Sequence, residues 1–247
     1  MQRLVNTGLV LKVLLPFFVC LSVCSGNLFA QTKLSADVTI RQLHQNKVIR
    51  VEKQIFFTSN GNLVIHYTYP QEYYMITNSL GETSVYQPAA NEVMNINDKS
   101  LSSQTEFFTL FMTPAYSDLN LTNLGFTLQG IKKDGSNIVK TFSPTLKADK
   151  EISKATVVCQ KDKPIYSAFY GKNGKILKKT YYTNYVSYPN ISFPATITQI
   201  SYDTKGDSVI KKEEYKNIKT NNFSKDALFD YKVPKGAKRV NPYNITK

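Results

Sequence analysis

The chain has 247 residues, with 31 basic and 18 acidic side chains, so its formal net charge at neutral pH is +13. One domain of this size can bury a substantial apolar core. The basic residues are scattered among Tyr, Glu and Val, which argues against a nucleic-acid-binding surface and favours solvated faces or contact with anionic lipid headgroups.

The first 30 residues have the pattern of a secretory signal. Two basic side chains accompany the apolar run Val13–Val23, and Ala30 supplies a small residue before Gln31. The apolar run is shorter than the roughly 20 residues that a membrane-spanning helix needs. We therefore predict export with cleavage near Ala30-Gln31. A retained anchor, or a lipid anchor at Cys24, remains an alternative.

Removal of residues 1–30 would leave a single domain over residues 31–247. Cys20 and Cys24 would leave with the signal, so Cys159 would be alone and could form no internal disulfide. Cys159 lies in an apolar run with nothing nearby to lower the pKa of its thiol, which favours a small buried hydrophobe over a nucleophile.

Short runs rich in Val, Ile, Tyr, Phe and Thr predict a mainly β chain. Asn60-Gly61 between two apolar runs is a strong hairpin signal, and connections this short imply antiparallel neighbours in chain order. Thirteen strands are predicted: 35–45, 48–58, 62–69, 72–78, 83–86, 92–96, 126–133, 137–143, 155–161, 165–170, 176–186, 193–203 and 208–219.

A helical pattern interrupts the strands midway. Ser103-x-x-Glu106 fits a capping box, and Phe107, Leu110 and Phe111 follow at helical spacing. We expect a helix over Ser102–Thr113, followed by a short turn over 118–124. The alternation of the strands predicts one apolar and one wet sheet face, and this helix would cover the apolar face as a functional lid or as a plain plug of the core.

The motifs of catalysis are missing from the sequence. The two histidines, His44 and His66, lie on separate predicted strands and outside any metal-ligand spacing, and there is no Gly-x-Ser-x-Gly turn. We therefore expect no enzyme activity, no cofactor and no metal site. The last residues, 238–247, have no strong pattern.

The order of these elements resembles the LolA-like family of periplasmic lipoprotein carriers and related lipid-binding sensors. The resemblance rests on an export signal followed by six elements: Gly61-Asn62-Leu63, Tyr69-Pro70-Gln71-Glu72-Tyr73, a turn at Gly81, Tyr86-Gln87-Pro88 through Val93, Phe107–Met112, and Leu228 to Gly236. It covers nearly all of residues 31–247. It implies a curved antiparallel sheet forming an incomplete, half-open β-barrel that a helical lid closes.

Two departures from the family pattern concern the mechanism. The carriers usually have an Arg before the joint proline, which is thought to tie the sheet to its lid, whereas this chain has Tyr69. The family also tends to begin with a helix, and this chain enters a strand almost at once. The fold and the apolar cavity are therefore implied more strongly than the lipoprotein cargo.

The resemblance implies a monomeric periplasmic carrier for lipoprotein acyl chains or phospholipid, with inner-membrane donor and outer-membrane acceptor proteins and no nucleic acid. The alternatives are a sensor or interaction module on the same fold and a solid β protein without a cavity. The expected lining of the cavity and lid comprises Phe56, Ile65, Tyr74, Ile76, Tyr86, Met94, Phe107, Phe108, Leu110, Phe111 and Met112.

Overall fold

The computed structural model describes residues 32–112, 114–145, 151–188, 191–203, 206–221 and 226–241. Within them, a single sheet holds 14 strands. They are β1 (Lys33–His44), β2 (Lys47–Thr58), β3 (Leu63–Tyr69), β4 (Tyr73–Thr77), β5 (Glu82–Gln87), β6 (Glu92–Asn97), β7 (Phe126–Asp134), β8 (Asn137–Pro144), β9 (Ile152–Gln160), β10 (Lys163–Gly171), β11 (Ile176–Tyr188), β12 (Ile191–Tyr202), β13 (Ser208–Thr220) and β14 (Lys238–Val240).

The sheet consists of two antiparallel meanders joined side by side. Strands β1–β6 and β7–β13 each pair in chain order, and β1 pairs with β13 to join the two halves. The edges of the sheet are β14, which pairs in parallel with β6, and β7. Because β6 and β7 are sequential strands near opposite edges, the chain between them must cross the whole sheet.

The crossing segment, residues 98–125, lies against one face of the sheet. It contains the 3-10 turns Lys99–Leu101, Ser103–Thr105 and Pro114–Asp118 and one α-helix, α1 (Phe107–Leu110). Phe108 contacts Phe57 of β2, while Phe111 contacts Phe193 of β12. Rings from both halves of the sheet therefore converge on the crossing segment, and the face that it covers is the concave one.

The opposite, convex face is covered near β2–β6 by a C-terminal strap, residues 226–241. Phe229 of the 3-10 turn Ala227–Asp230 packs edge-on against Phe56, with their ring centroids 5.4 Å apart. Tyr231 stacks on Tyr74 at 4.2 Å. The strap then continues into β14, where the Lys238 N–H donates to the Asn91 carbonyl at 2.8 Å. The first half of the sheet is thus covered on both faces.

The mainly β, curved and unclosed antiparallel sheet predicted from the sequence is confirmed. All 13 predicted strands are present, with ends that differ by at most three residues. The strand β14 was missed, because Lys238–Val240 is three residues long and owes its conformation to pairing with β6 rather than to its own pattern.

The lid helix predicted over 102–113 is wrong in extent. Among its described residues, 102–112, only Phe107–Leu110 is α-helical. Ser103 does not cap a helix as predicted, because its hydroxyl is buried and donates to the Gly61 carbonyl at 2.7 Å. Ser102 instead accepts from the Gln104 N–H. Tertiary hydrogen bonds to the sheet therefore replace the regular helix, and the lid is an irregular segment.

The predicted signal at residues 1–30 lies outside the described residues, and the domain boundary stays a prediction. Within the described part of the chain, no helix combines the length and hydropathy that a membrane crossing requires.

Gly81 fixes the point where the crossing segment leaves the sheet. Its φ is +84°, its carbonyl accepts from the Asp98 N–H at 3.1 Å, and a Cβ added there would lie 2.2 Å from the Asp98 carbonyl oxygen. Gly174 has a similar φ of +74° with nothing within 4 Å of an added Cβ. The two glycines therefore separate backbone strain from collision.

We expect Gly174→Ala to lower the free energy of unfolding by about 1 kcal/mol through backbone strain alone. Gly81→Ala should lower it by about 3 kcal/mol, because the methyl group also collides with backbone that cannot give way. Urea denaturation of both variants measures the difference. Equal losses would show that Gly81 does not hold the crossing segment in place.

Candidate functional site

The concave face is an apolar surface formed by both halves of the sheet. Strand alternation places one side-chain row of each strand on this side of the sheet, and the residues at the centre of the rows are nearly inaccessible to solvent. The buried side chains that the strands contribute include Leu34, Val38, Ile55, Phe57, Leu63, Ile65, Phe142, Val157, Tyr182, Phe193, Ile197 and Tyr215. Without a cover, this surface would be exposed to water.

The crossing segment supplies that cover with aromatic side chains. Phe108 and Phe111 are 1 % and 2 % exposed, whereas Phe107, Leu110 and Met112 are half-buried at the periphery. Phe111 lies among the rings of Tyr182, Tyr185 and Phe193, with centroid distances between 5.6 and 6.4 Å. The space under the segment is therefore occupied by the protein's own side chains.

An ion pair links the crossing segment to the sheet. Lys53 of β2 is only 7 % exposed, and its Nζ lies 3.4 Å from Oε2 of Glu106, whose side chain is 27 % exposed. The Lys53 ammonium also lies 5.6 Å from the centre of the Tyr67 ring. A buried ammonium without a carboxylate partner is strongly unfavourable, so Glu106 is favoured in the closed position.

A polar cluster on the concave face comprises Lys53, Glu106 and Tyr67. A second carboxylate, Glu213 of β13, interacts with the charge of Lys53 in this cluster. Its Oε1 lies 2.6 Å from the Lys211 Nζ, and its Oε2 accepts from the Tyr215 hydroxyl at 2.8 Å. Burial raises the pKa of Glu213, but the Lys211 ammonium and the Tyr215 and Lys53 side chains more than offset this, so the net pKa is lowered. Glu213 is therefore a buried anion.

Two stacked tyrosines complete this cluster. The rings of Tyr67 and Tyr73 are 4.1 Å apart. Burial, followed by the charge of Glu106, raises the pKa of Tyr67 to about 12. Burial also raises the pKa of Tyr73. Both phenols are therefore neutral at physiological pH and serve as polar contacts beside an apolar surface.

Seven of the eleven predicted lining residues lie on the concave side. Ile65 is buried in the core. Met94 lies on the same face, because the strand register aligns it in one row with Ile65, Met75 and Val85. The other five belong to the crossing segment: Phe107, Phe108, Leu110, Phe111 and Met112. The structure thus brings together the segment residues and one row of the sheet.

The other four, Phe56, Tyr74, Ile76 and Tyr86, lie on the convex face and cannot line a cavity under the crossing segment. Phe56 and Ile76 pack in a separate cluster with Val64, Phe229 and Leu228. The Tyr74 ring stacks between the rings of His66 in the sheet and Tyr231 in the strap. The Tyr86 hydroxyl donates to the Asn91 side chain at 3.2 Å. The sequence pattern predicted the wrong face for these residues because the face under the strap is apolar too. An error of one residue in the alternation of a strand exchanges its two faces.

Lys53 and Glu213 were missed by the sequence analysis. A signal for Lys53 exists: the alternation Val51, Lys53, Ile55, Phe57 places a lysine within an otherwise apolar row. A lysine on a core face requires an anionic partner. That partner, Glu106, is 53 residues away, and the sequence does not show the pairing.

The site offers an apolar surface and a charged tie. No group of three or more potential metal ligands occurs among the residues that the structure describes. Cys159 is buried as expected, its thiol donates to the Ser117 carbonyl at 3.4 Å, and burial raises its pKa. The chemistry that this arrangement supports is non-covalent binding of an apolar molecule.

No protein-family model matches the sequence, and no curated protein matches it. Solved structures are similar. A DUF1329 family protein from Desulfovibrio piger has 15 % identity and a TM-score of 0.53, and an outer membrane lipoprotein-sorting protein domain from Vibrio parahaemolyticus has 16 % and 0.52. Each comparison covers 80 % of this chain and 89 % of the other.

A LolA superfamily protein from Nitrosomonas europaea is similar at 14 % identity and a TM-score of 0.50, over 76 % of this chain and 85 % of that one. At these identities the likeness concerns the fold. It confirms the LolA-like architecture that the order of motifs predicted.

The Lys53–Glu106 tie predicts a measurable coupling. In a double-mutant cycle with Lys53→Met and Glu106→Gln, we expect a coupling of about 1 kcal/mol in the free energy of unfolding, because Lys53 is buried. The matched control is the pair Arg50 and Glu52, which is 52 % and 37 % exposed. Exposed pairs couple weakly, by about 0.3 kcal/mol. Equal coupling in both cycles would contradict a structural tie.

The lowered pKa of Glu213 predicts acid sensitivity. A carboxylate whose pKa is lowered by folding stabilises the protein above its unfolded pKa, and this contribution is lost as the pH falls through its folded value. Wild-type protein should therefore lose more stability than Glu213→Gln on acidification below about pH 4.5. Urea midpoints measured from neutral to acidic pH test this, and parallel curves would refute it.

Proposed function

We propose that this chain, which has the LolA-like fold, is a periplasmic carrier that binds acyl chains on the concave face of its sheet beneath the crossing segment. The observation that carries the proposal is the composition of that face. Both halves of the sheet present apolar side chains to it, and Phe108 and Phe111 of the crossing segment are the groups that cover them.

Acyl chains fit this surface chemically. Each methylene group removed from water contributes about 0.8 kcal/mol, so one long chain supplies roughly 8–12 kcal/mol before ordering terms are subtracted. An acyl chain would replace the aromatic contacts of the crossing segment with contacts of similar kind. Met75 and Met112 at the periphery are flexible enough to adapt to chains of different shape.

The tie between Lys53 and Glu106 gives the closed state its polar component. In the carriers, an Arg before the joint proline is thought to tie the sheet to its lid, and here that position is Tyr69, in a cis peptide bond with Pro70. We propose that Lys53, on the neighbouring strand β2, takes that part. Displacement of the segment would separate Lys53 from Glu106 and leave the ammonium beside Glu213.

Export and cargo belong to the same proposal. The signal-like residues 1–30 and the fold favour a periplasmic location. Lipoprotein acyl chains or phospholipid would be the cargo, received from an inner-membrane donor and passed to an outer-membrane acceptor. The alternative is a sensor that holds lipid or one membrane partner without transport. Native mass spectrometry of protein purified from its own envelope distinguishes bound triacylated peptide, bound phospholipid and an empty protein.

Two adjacent residues of β4 test which face binds. Met75 packs on the concave side and Ile76 on the convex side, and both are half-buried. We expect Met75→Glu to weaken binding of a fluorescent fatty acid by about tenfold or more, because it places a carboxylate in the acyl path. Ile76→Glu should leave binding within about twofold of wild type, since it faces the strap.

Circular dichroism and urea midpoints of the two variants serve as the folding control, and binding is compared only for folded protein. Equal losses in both variants would place the ligand elsewhere. Wild-type protein that carries no lipid from the envelope and binds no acyl probe would refute the carrier proposal.

A further inference from the structure

The tip of the β1–β2 hairpin exposes large apolar side chains. Val48 is 66 % exposed, Ile49 is 56 % exposed and Leu43 is 40 % exposed. The turn between the strands, Gln45-Asn46, has positive φ at both residues, as a tight hairpin turn requires. These side chains lie at the end of two 12-residue strands, well away from the crossing segment that covers the core.

Starting at the tip, the strand register aligns two adjacent rows of side chains on the convex face. Each row crosses five strands, in the order β2, β1, β13, β12 and β11. The first row is mostly apolar and ends in a lysine: Val48, Leu43, Ile210, Ile200 and Lys179. The second is mostly basic and ends in a tyrosine: Arg50, Arg41, Lys212, Thr198 and Tyr181. With Lys47 and Ile49, these two rows form what we call the tip surface.

The charge of the tip surface is positive. It contains five basic side chains, whereas the next row on the convex face contains two carboxylates, Glu52 and Glu214. Glu214 binds both Arg41 at 2.5 Å and Lys212 at 3.0 Å, and Glu52 binds Arg50. Asp207, on the neighbouring turn, accepts from Gln45 at 3.4 Å. The excess of basic groups matches an anionic partner.

The two faces of the tip distinguish a lipid layer from a protein partner. Val48 and Leu43 point to the convex side of the ribbon, whereas Ile49 alternates to the concave side. A protein surface would cover one face of the ribbon and leave the other in water. A fluid layer of headgroups and upper acyl chains can surround both faces at once.

The pairing of β2 limits how deep the tip can enter. The register with β3 begins at Glu52, so residues 47–51 pair with β1 alone in the described structure. Backbone groups without partners are strongly unfavourable in hydrocarbon, whereas the headgroup region can hydrogen-bond to them. The tip is therefore suited to interfacial insertion rather than to crossing.

We propose that the tip surface docks the protein on anionic membrane surfaces, with Val48, Leu43 and Ile49 inserted at the headgroup level and the basic row bound to lipid phosphates. This surface is separate from the acyl-binding face beneath the crossing segment. It would hold a carrier at a membrane while cargo is exchanged, and it would act equally in a protein that carries nothing.

Co-flotation with vesicles tests the docking. Protein comprising residues 31–247 is mixed with vesicles of phosphatidylcholine alone or of phosphatidylcholine with phosphatidylglycerol, at low and at high salt. We expect binding to the anionic vesicles only, weakened by salt because exposed charges are screened. Val48→Asp should reduce the bound fraction by about tenfold, and Lys47→Gln should reduce it less.

Leu80→Asp is the matched control, because Leu80 is 65 % exposed in the β4–β5 turn at the opposite end of the strands. It should bind as wild type does. Wild-type binding that is equal on both vesicle types, or absent from both, would overturn the proposal. So would Val48→Asp protein that floats as well as wild type, or a tip surface that instead cross-links to one envelope protein.

The two proposals fail separately. Acyl-probe binding by folded Val48→Asp protein should equal that of wild type, since Val48 lies on the convex face. Vesicle docking without any bound acyl probe would refute the carrier and leave the tip surface standing. Acyl binding that is lost together with docking in Val48→Asp would overturn the assignment of a separate surface.

Discussion

An open, curved sheet with an apolar inner face needs a cover, and in this protein the cover is the connection between its two halves. Because β6 and β7 lie near opposite edges, residues 98–125 have to cross the sheet, and they bury Phe108 and Phe111 as they do so. The crossing segment is short of regular structure, with one four-residue helix between 3-10 turns. Its position therefore depends on contacts with the sheet.

Those contacts are of two kinds with different consequences. The burial of apolar surface is non-directional, and an acyl chain can replace the aromatic side chains without leaving a polar group unsatisfied. The hydrogen bonds of Ser103 to Gly61 and of Thr77 to Leu101, at 2.7 and 2.8 Å, hold the beginning of the segment to one end of the sheet. The ion pair of Lys53 and Glu106 lies between these regions. A segment held firmly at its start and by replaceable packing farther on is suited to partial opening.

Strand identity was predictable because hairpin turns and β-rich runs are local features. Asn60-Gly61 and Asn173-Gly174 each mark a turn that the structure contains, with positive φ at Gly61 and Gly174. The face of each strand was not predictable to the same extent. Phe56, Ile76 and Tyr86 have the same kinds of side chain as the concave residues, because the strap covers their face as well. The strap lies more than 130 residues later in the chain, so the pattern of each strand does not reveal it. The capping pattern of Ser103 was likewise overridden by a tertiary bond.

The tip surface and the concave face differ in how their apolar groups are covered. The concave row is shielded by the crossing segment, whereas Val48 and Ile49 are open to solvent beside basic side chains. The long β1–β2 hairpin contributes to both, because its inner half forms core and its outer half extends beyond β3.

Hydrogen exchange with and without a long-chain acyl ligand tests the central claim, which is that the crossing segment yields its place on the concave face. The backbone N–H groups of Phe111 and Met112, bonded to Phe108 and Thr109, report on the segment. We expect the ligand to accelerate exchange in residues 98–125 and to leave exchange in the strap, residues 226–241, unchanged. Ligand binding with unchanged exchange in the crossing segment, or with changes confined to the strap, would contradict it.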